Sequence, residues 1–163
     1  MFNRSDRTEI LFPTDMDRIL EKYEDVIENY PHLENRDPLY ARYEQDTEKL
    51  IAVIPLKKHP VYGITGFVGY EKYNDEGLVE RYSYAWRILV PKLGNGPGHI
   101  TAWENDPHDK PNTRGKYRVA TEPHHHHHVP FDRSKRKENY DVRTMDDAFS
   151  IVADYIRNGK PYP

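Results

Sequence analysis

Cysteine is absent from the 163 residues, so disulfides and thiolate chemistry are excluded. No apolar run approaches the roughly 20 residues that a membrane helix needs. The opening stretch, Met1 to Ile10, has no apolar signal region. These two absences lead to the expectation of a cytoplasmic protein without a membrane partner. Several motifs are missing as well: a Walker loop, a dinucleotide fingerprint, a nucleophile elbow and zinc-finger spacing. Gly94, Gly96 and Gly98 do not cradle a phosphate, because Pro97 interrupts them and a strand rather than a helix follows.

Charge and tyrosine are plentiful. Charged residues make up 31% of the chain and mean hydropathy is −0.97. Thirteen tyrosines and two tryptophans add buried area that the 36% apolar fraction understates. The net charge of −3 hides a polarity. Residues 1–50 carry 7 basic and 13 acidic groups, a balance of −6, whereas residues 110–137 carry 8 basic and 2 acidic groups, a balance of +6. Such a local basic field attracts phosphate even on an anionic protein. A solvated charged loop is the simpler reading of the same block.

Five consecutive histidines, His124 to His128, lie within that basic block. Pro123 and Pro130 bracket them and favour extended backbone. Alternation then predicts His124, His126 and His128 on one face and His125 and His127 on the other.

The order of elements reads helix, strands, helix. Thr14 with Asp17 resembles a capping box, and Met16, Ile19, Leu20, Tyr23, Val26, Ile27 and Tyr30 recur at helical spacing up to Pro31. Strand signals cover residues 50–56, 62–73, 78–90 and 99–104, with Asn74 to Gly77 as a hairpin turn and 116–120 as a further short strand. Within 78–90, Leu78, Tyr82, Tyr84, Trp86, Ile88 and Val90 share one face, with Glu80 the exception. Thr144 caps a closing helix whose stripe is Met145, Ala148, Phe149, Val152, Tyr155 and Ile156, ending at Gly159. The expected fold class is α+β: an antiparallel sheet of about four to six strands, with an N-terminal and a C-terminal helix packed on it. One domain spans 1–163.

The histidines admit three kinds of chemistry. Adjacent imidazoles resist simultaneous protonation, so one can take a proton while another gives one. RNA cleavage needs such a pair, a base on the 2′-hydroxyl and an acid on the leaving 5′-oxygen, with a cation on the phosphate. His108 or a member of His124, His125, His126, His127 and His128 supplies the acid and base. Arg114, Lys116, Arg118, Arg133, Lys135 and Arg136 supply cations. In a metal reading, His124, His126 and His128 are ligands of a divalent ion, with His108, Asp106 or Glu122 completing the shell; otherwise no cofactor is expected. In the third reading the run is a solvated loop. Trp103 to His108 is a strand end turned by Asn, Asp and Pro, or a pocket in which Trp103 or Tyr117 stacks a base.

Four segments occur in a recognisable order: Arg81-Tyr82-Ser83-Tyr84-Ala85-Trp86, then Ile100 to His108 (Ile-Thr-Ala-Trp-Glu-Asn-Asp-Pro-His), then Pro123 with the histidine run and Val129, then a Thr-Met-Asp-Asp-Ala-Phe helix start. Together they resemble the TumE-like toxin family over roughly residues 60–157, leaving 1–55 as an N-terminal helical extension. Members carry a Tyr-Ser-Tyr strand, an aromatic-Asp-Asn-x-Pro-His segment, a Pro-His-His-x-His segment and a closing helix. The resemblance implies the toxin of a prokaryotic toxin–antitoxin pair, with a cognate antitoxin as protein partner. The positions it marks are Tyr82, Ser83, Tyr84, Trp86, Trp103, Asn105, Asp106, Pro107, His108 and the histidine run. Tyr84, Trp86, Trp103, Asn105 and Asp106 accordingly join the basic residues as the expected substrate-binding set. The chain departs from the pattern at Ala85, where a polar residue is usual, at Glu104 in place of Asp, and by one extra histidine. The expected function is a ribonuclease toxin; the alternatives are a non-catalytic nucleic-acid- or protein-binding module and a histidine-rich metal-dependent hydrolase.

Overall fold

The structure, a computed structural model, describes residues 10–90, 98–105, 126–128, 131 and 136–163, with 126–128 and 136 described by their backbone. In chain order the elements are α1 (Met16–Lys22), β1 (Arg42–Gln45), β2 (Lys49–Pro55), β3 (Ile64–Tyr73), β4 (Val79–Val90), β5 (Gly98–Glu104), β6 (His126–His128), β7 (Arg136–Glu138) and α2 (Met145–Asn158). The strands form one antiparallel sheet in the order β1-β2-β3-β4-β5-β6-β7, each beside its sequence neighbour. The α+β class with both helices is as the sequence indicates. The strand count is higher because β1 and β7 lack the apolar alternation that marks a strand. All four residues of β1 are exposed. The possible strand over 116–120 lies outside the described residues.

Both helices cover the same face of the sheet. Phe149 of α2 stacks on Tyr23 after α1 (4.4 Å between centroids) and on Phe67 of β3 (4.5 Å). Gly69 keeps that face low: a Cβ there would run into Met145. The core cluster joins Met16, Ile19, Tyr23 and Val26 to β2, β3, β4, β5 and α2. Residues 1–55, expected as a helical extension, therefore supply α1, β1 and the fully integrated strand β2.

Helix starts separate a correct expectation from a wrong one. α2 opens with the Thr144–Asp147 capping box and closes at Gly159, whose φ of 70° suits glycine. α1 is capped by Asp15, not Thr14, and ends at Lys22. Thr14 is engaged elsewhere, on Glu71. The apolar spacing beyond Tyr23 continues not as helix but as turns and single bridges, Ile27 to Leu56 and Tyr30 to Leu39.

The Glu80 exception in β4 also has a physical cause. Lys72 pairs with Arg81 while Tyr73 pairs with Val79, so Glu80 is the extra residue of a bulge. The bulge reverses the alternation before Arg81. Val79 is thereby buried on the aromatic face, rather than on the opposite face where uninterrupted alternation would put it.

Candidate functional site: the open face of the sheet

Opposite the helices, the sheet presents a face that register divides into rows. One row runs Ile51, Tyr70, Ser83, Glu104, His126, Glu138. The row beside it begins Lys49, Lys72, Arg81 on three adjacent strands. On the other side lie Val53, Val68, Ala85, Ala102, His128 and Arg136. Lys49, Lys72 and Arg81 are exposed, Tyr70 is 37% exposed, Ser83 is half-buried and Glu104 is buried. Tyr70, Lys72, Arg81, Ser83 and Glu104, with Tyr82 at the end, line a groove of about 310 Å³. Lys72 Nζ lies 3.6 Å from Glu80 Oε2, both side chains about half exposed, a pair too hydrated to hold the cation firmly.

β6 brings the histidines to this sheet as an inner strand. His126, His127 and His128 pair with Glu104, Trp103 and Ala102 on one side, and with Glu138, Lys137 and Arg136 on the other. The extended backbone expected between Pro123 and Pro130 is found at these three residues. His108, His124, His125, Asp106, Arg114, Lys116, Arg118, Arg133 and Lys135 lie outside the described residues. Among the described residues no group of three or more His, Asp or Glu could hold a metal ion, and His124 and the side chains of His126 and His128 are not among them.

Four expected substrate contacts have other employment. Tyr84, Trp86 and Trp103 are 1%, 0% and 2% exposed, on the face that the helices cover, so no base can stack on them there. Trp86 packs edge-on against Tyr62 and His59, and Trp103 lies edge-on to Tyr162. Asn105 is a backbone clamp. Its Oδ1 accepts from Tyr82 N at 2.8 Å and its Nδ2 donates to Glu80 O at 3.1 Å, prolonging the β4–β5 ladder past the last strand residue. The reading of Trp103 to His108 as a strand end with Trp103 in the core describes Trp103 and Asn105 correctly.

Glu71, which sequence reasoning missed, is 1% exposed beneath the helix face. Its Oε1 accepts from Thr14 N and Tyr73 OH, both at 3.0 Å, and its Oε2 accepts from Thr14 Oγ1 and Tyr84 OH, both at 2.5 Å. Burial first, then the Glu71 carboxylate, raises the Tyr84 hydroxyl well above its usual range. A glutamate in phase with Phe67 and Tyr73 is the sequence signal for it. Because every lone pair direction is met from within, Glu71 serves as a junction tying the segment before α1 to β3 and β4. Tyr70 carries the opposite signal: it is out of phase with Phe67 and Tyr73 and so falls on the face away from the core.

No family model, curated protein or solved structure matches the chain. The class that the fold and site define is an antiparallel α+β meander with helices on one face and, on the other, a row of Lys49, Lys72 and Arg81 beside Tyr70, Ser83 and Glu104. No helix among the described residues is long and apolar enough to cross a membrane.

Proposed function

We propose that the chain is the toxin of a prokaryotic toxin–antitoxin pair and acts as a ribonuclease in the cytoplasm, restrained by a cognate antitoxin. The supporting observation is the register of β6: His126 stands opposite Glu104, in the row of Ser83 and Tyr70, beside the cationic row of Lys72 and Arg81. Acid–base cleavage of RNA needs imidazoles within reach of cations that hold the phosphate, and this register sets the backbone of the run beside such a row. One histidine of 124–128 removes the proton from a ribose 2′-hydroxyl. The 2′-oxygen attacks the adjacent phosphorus and the P–O5′ bond breaks. A second histidine of the run, or His108, protonates the departing 5′-oxygen. The products are a 2′,3′-cyclic phosphate and a 5′-hydroxyl, with no net change in protons.

Growth under inducible expression of the wild type, and of a variant with His124 to His128 all alanine, tests the histidines. Inhibition by the wild type alone is expected; equal inhibition by both removes them from the mechanism. Incubating purified protein with RNA, with and without a chelator, separates the readings. Cleavage to cyclic-phosphate ends in chelator supports acid–base chemistry, and loss of cleavage in chelator supports the metal-dependent hydrolase. The cationic row also suits a non-catalytic nucleic-acid module, which binds RNA in a salt-dependent manner without turnover.

A further inference from the structure

Lys49, Lys72 and Arg81 stand directly opposite one another on β2, β3 and β4. Like charges in that relation destabilise a sheet. The fold does not need them there, because the alternate positions of the same strands carry the core. Glu80 neutralises part of the charge at Lys72, Arg81 is itself engaged, and Glu44 and Glu104 add carboxylates in the next row. Adjacent strands are about 4.8 Å apart, so the three cations form a ladder about 10 Å long across the strands. Tyr70, partly exposed, stands two residues along β3 from Lys72, about 7 Å away by strand rise. Ser83 is the cross-strand neighbour of Tyr70. A flat aromatic group, a hydroxyl and a line of cations within one nucleotide's reach fit a backbone phosphate together with its unstacked base. A duplex keeps its bases stacked and presents no such face.

We propose that single-stranded RNA crosses the open face of the sheet, its phosphates held by Lys49, Lys72 and Arg81 and one base stacked on Tyr70 beside Ser83. The groove of about 310 Å³ lined by Tyr70, Lys72, Arg81, Ser83 and Glu104 takes that base. This inference rests on the RNA reading above and assigns its binding surface to residues outside the histidine run.

The test uses the full chain with His124 to His128 replaced by alanine, so that binding is read without turnover, and a labelled single-stranded oligoribonucleotide of mixed sequence as probe. Tyr70→Ala should weaken binding by about tenfold, and Tyr70→Phe, which keeps the ring, should restore it. Each of Lys49→Gln, Lys72→Gln and Arg81→Gln should flatten the plot of log affinity against log salt by about 0.7. The matching duplex should bind more weakly than the single strand. Binding of the single strand unaffected by Tyr70→Ala and by the three glutamine variants overturns this surface while leaving the ribonuclease reading standing. No binding by the histidine variant, together with no cleavage of the probe by wild type, overturns both.

Discussion

Glu71 accepts four hydrogen bonds in the interior, and each donor would be stranded if the carboxylate were removed. Glu71→Ala should therefore lower stability by about 3 kcal/mol or more, read as a reduced urea midpoint with an unchanged slope. An unaltered midpoint would mean that water replaces the carboxylate without cost. His59 shows the same economy. Its Nδ1 lies 3.0 Å from Val61 N and 3.3 Å from Tyr62 N, both donors, so the proton is on Nε2, which donates to Lys160 O at 2.8 Å. The ring stacks on Tyr62 at 4.7 Å and fixes the C-terminal tail against the sheet. The burial of Glu71 is signalled by its phase with Phe67 and Tyr73, but its bonds to Thr14 and Tyr84 are not, because those partners lie 57 and 13 residues away.

The helices are joined to each other as well as to the sheet. Lys22 Nζ meets both Asp146 carboxylate oxygens at 2.9 Å, and Tyr23 OH donates to the same carboxylate. Burial works to raise the Asp146 carboxyl, but the bonds from Tyr23 and Lys22 outweigh it and hold the group below its usual 3.8. A carboxyl depressed in the folded state stabilises the fold above its unfolded pKa, and that contribution fades as pH falls through the folded value. Asp146→Asn should therefore narrow the gap between urea midpoints at about pH 5 and about pH 3; an unchanged gap would assign the acid sensitivity to other carboxylates. At the other pole of the packing, Phe149 lies between Tyr23 and Phe67 with no exposure. Phe149→Ala should cost about 3–5 kcal/mol, and Thr144→Ala, which removes the cap of α2, about 1 kcal/mol, both measurable by denaturant titration. The α2 cap and stripe were legible because they are local, a few residues apart on one helix. The end of α1 was not, because its apolar spacing serves the sheet after Lys22 rather than a longer helix.

Across the described residues, one core ties α1 to the strands, so residues 10–55 are part of the fold and not an appendage. Deleting Met1 to Asp46 removes Met16, Ile19, Tyr23 and Val26 from that core, and the shortened chain should lose cooperative thermal unfolding; retention of it would make the segment separable. At the C-terminal end, burial first raises the Tyr162 hydroxyl to about 12. A raised folded pKa gives stability that is complete below the unfolded value near 10 and declines as pH rises towards 12. Tyr162→Phe should accordingly soften the loss of stability over that alkaline range, followed by urea midpoints. The α+β class, the closing helix, the Tyr82-Tyr84-Trp86 face and the extended histidines were determined by sequence alone, since periodicity, caps and proline act over a few residues. Tertiary structure alone decided that the aromatic face of β4 lies under both helices, which removes Tyr84, Trp86 and Trp103 from solvent. It also decided the bulge at Glu80, the four donors on Glu71, and the register that sets Lys49, Lys72 and Arg81 in one row and His126 beside Glu104. Those facts are pairings between distant strands, fixed by the sheet as a whole.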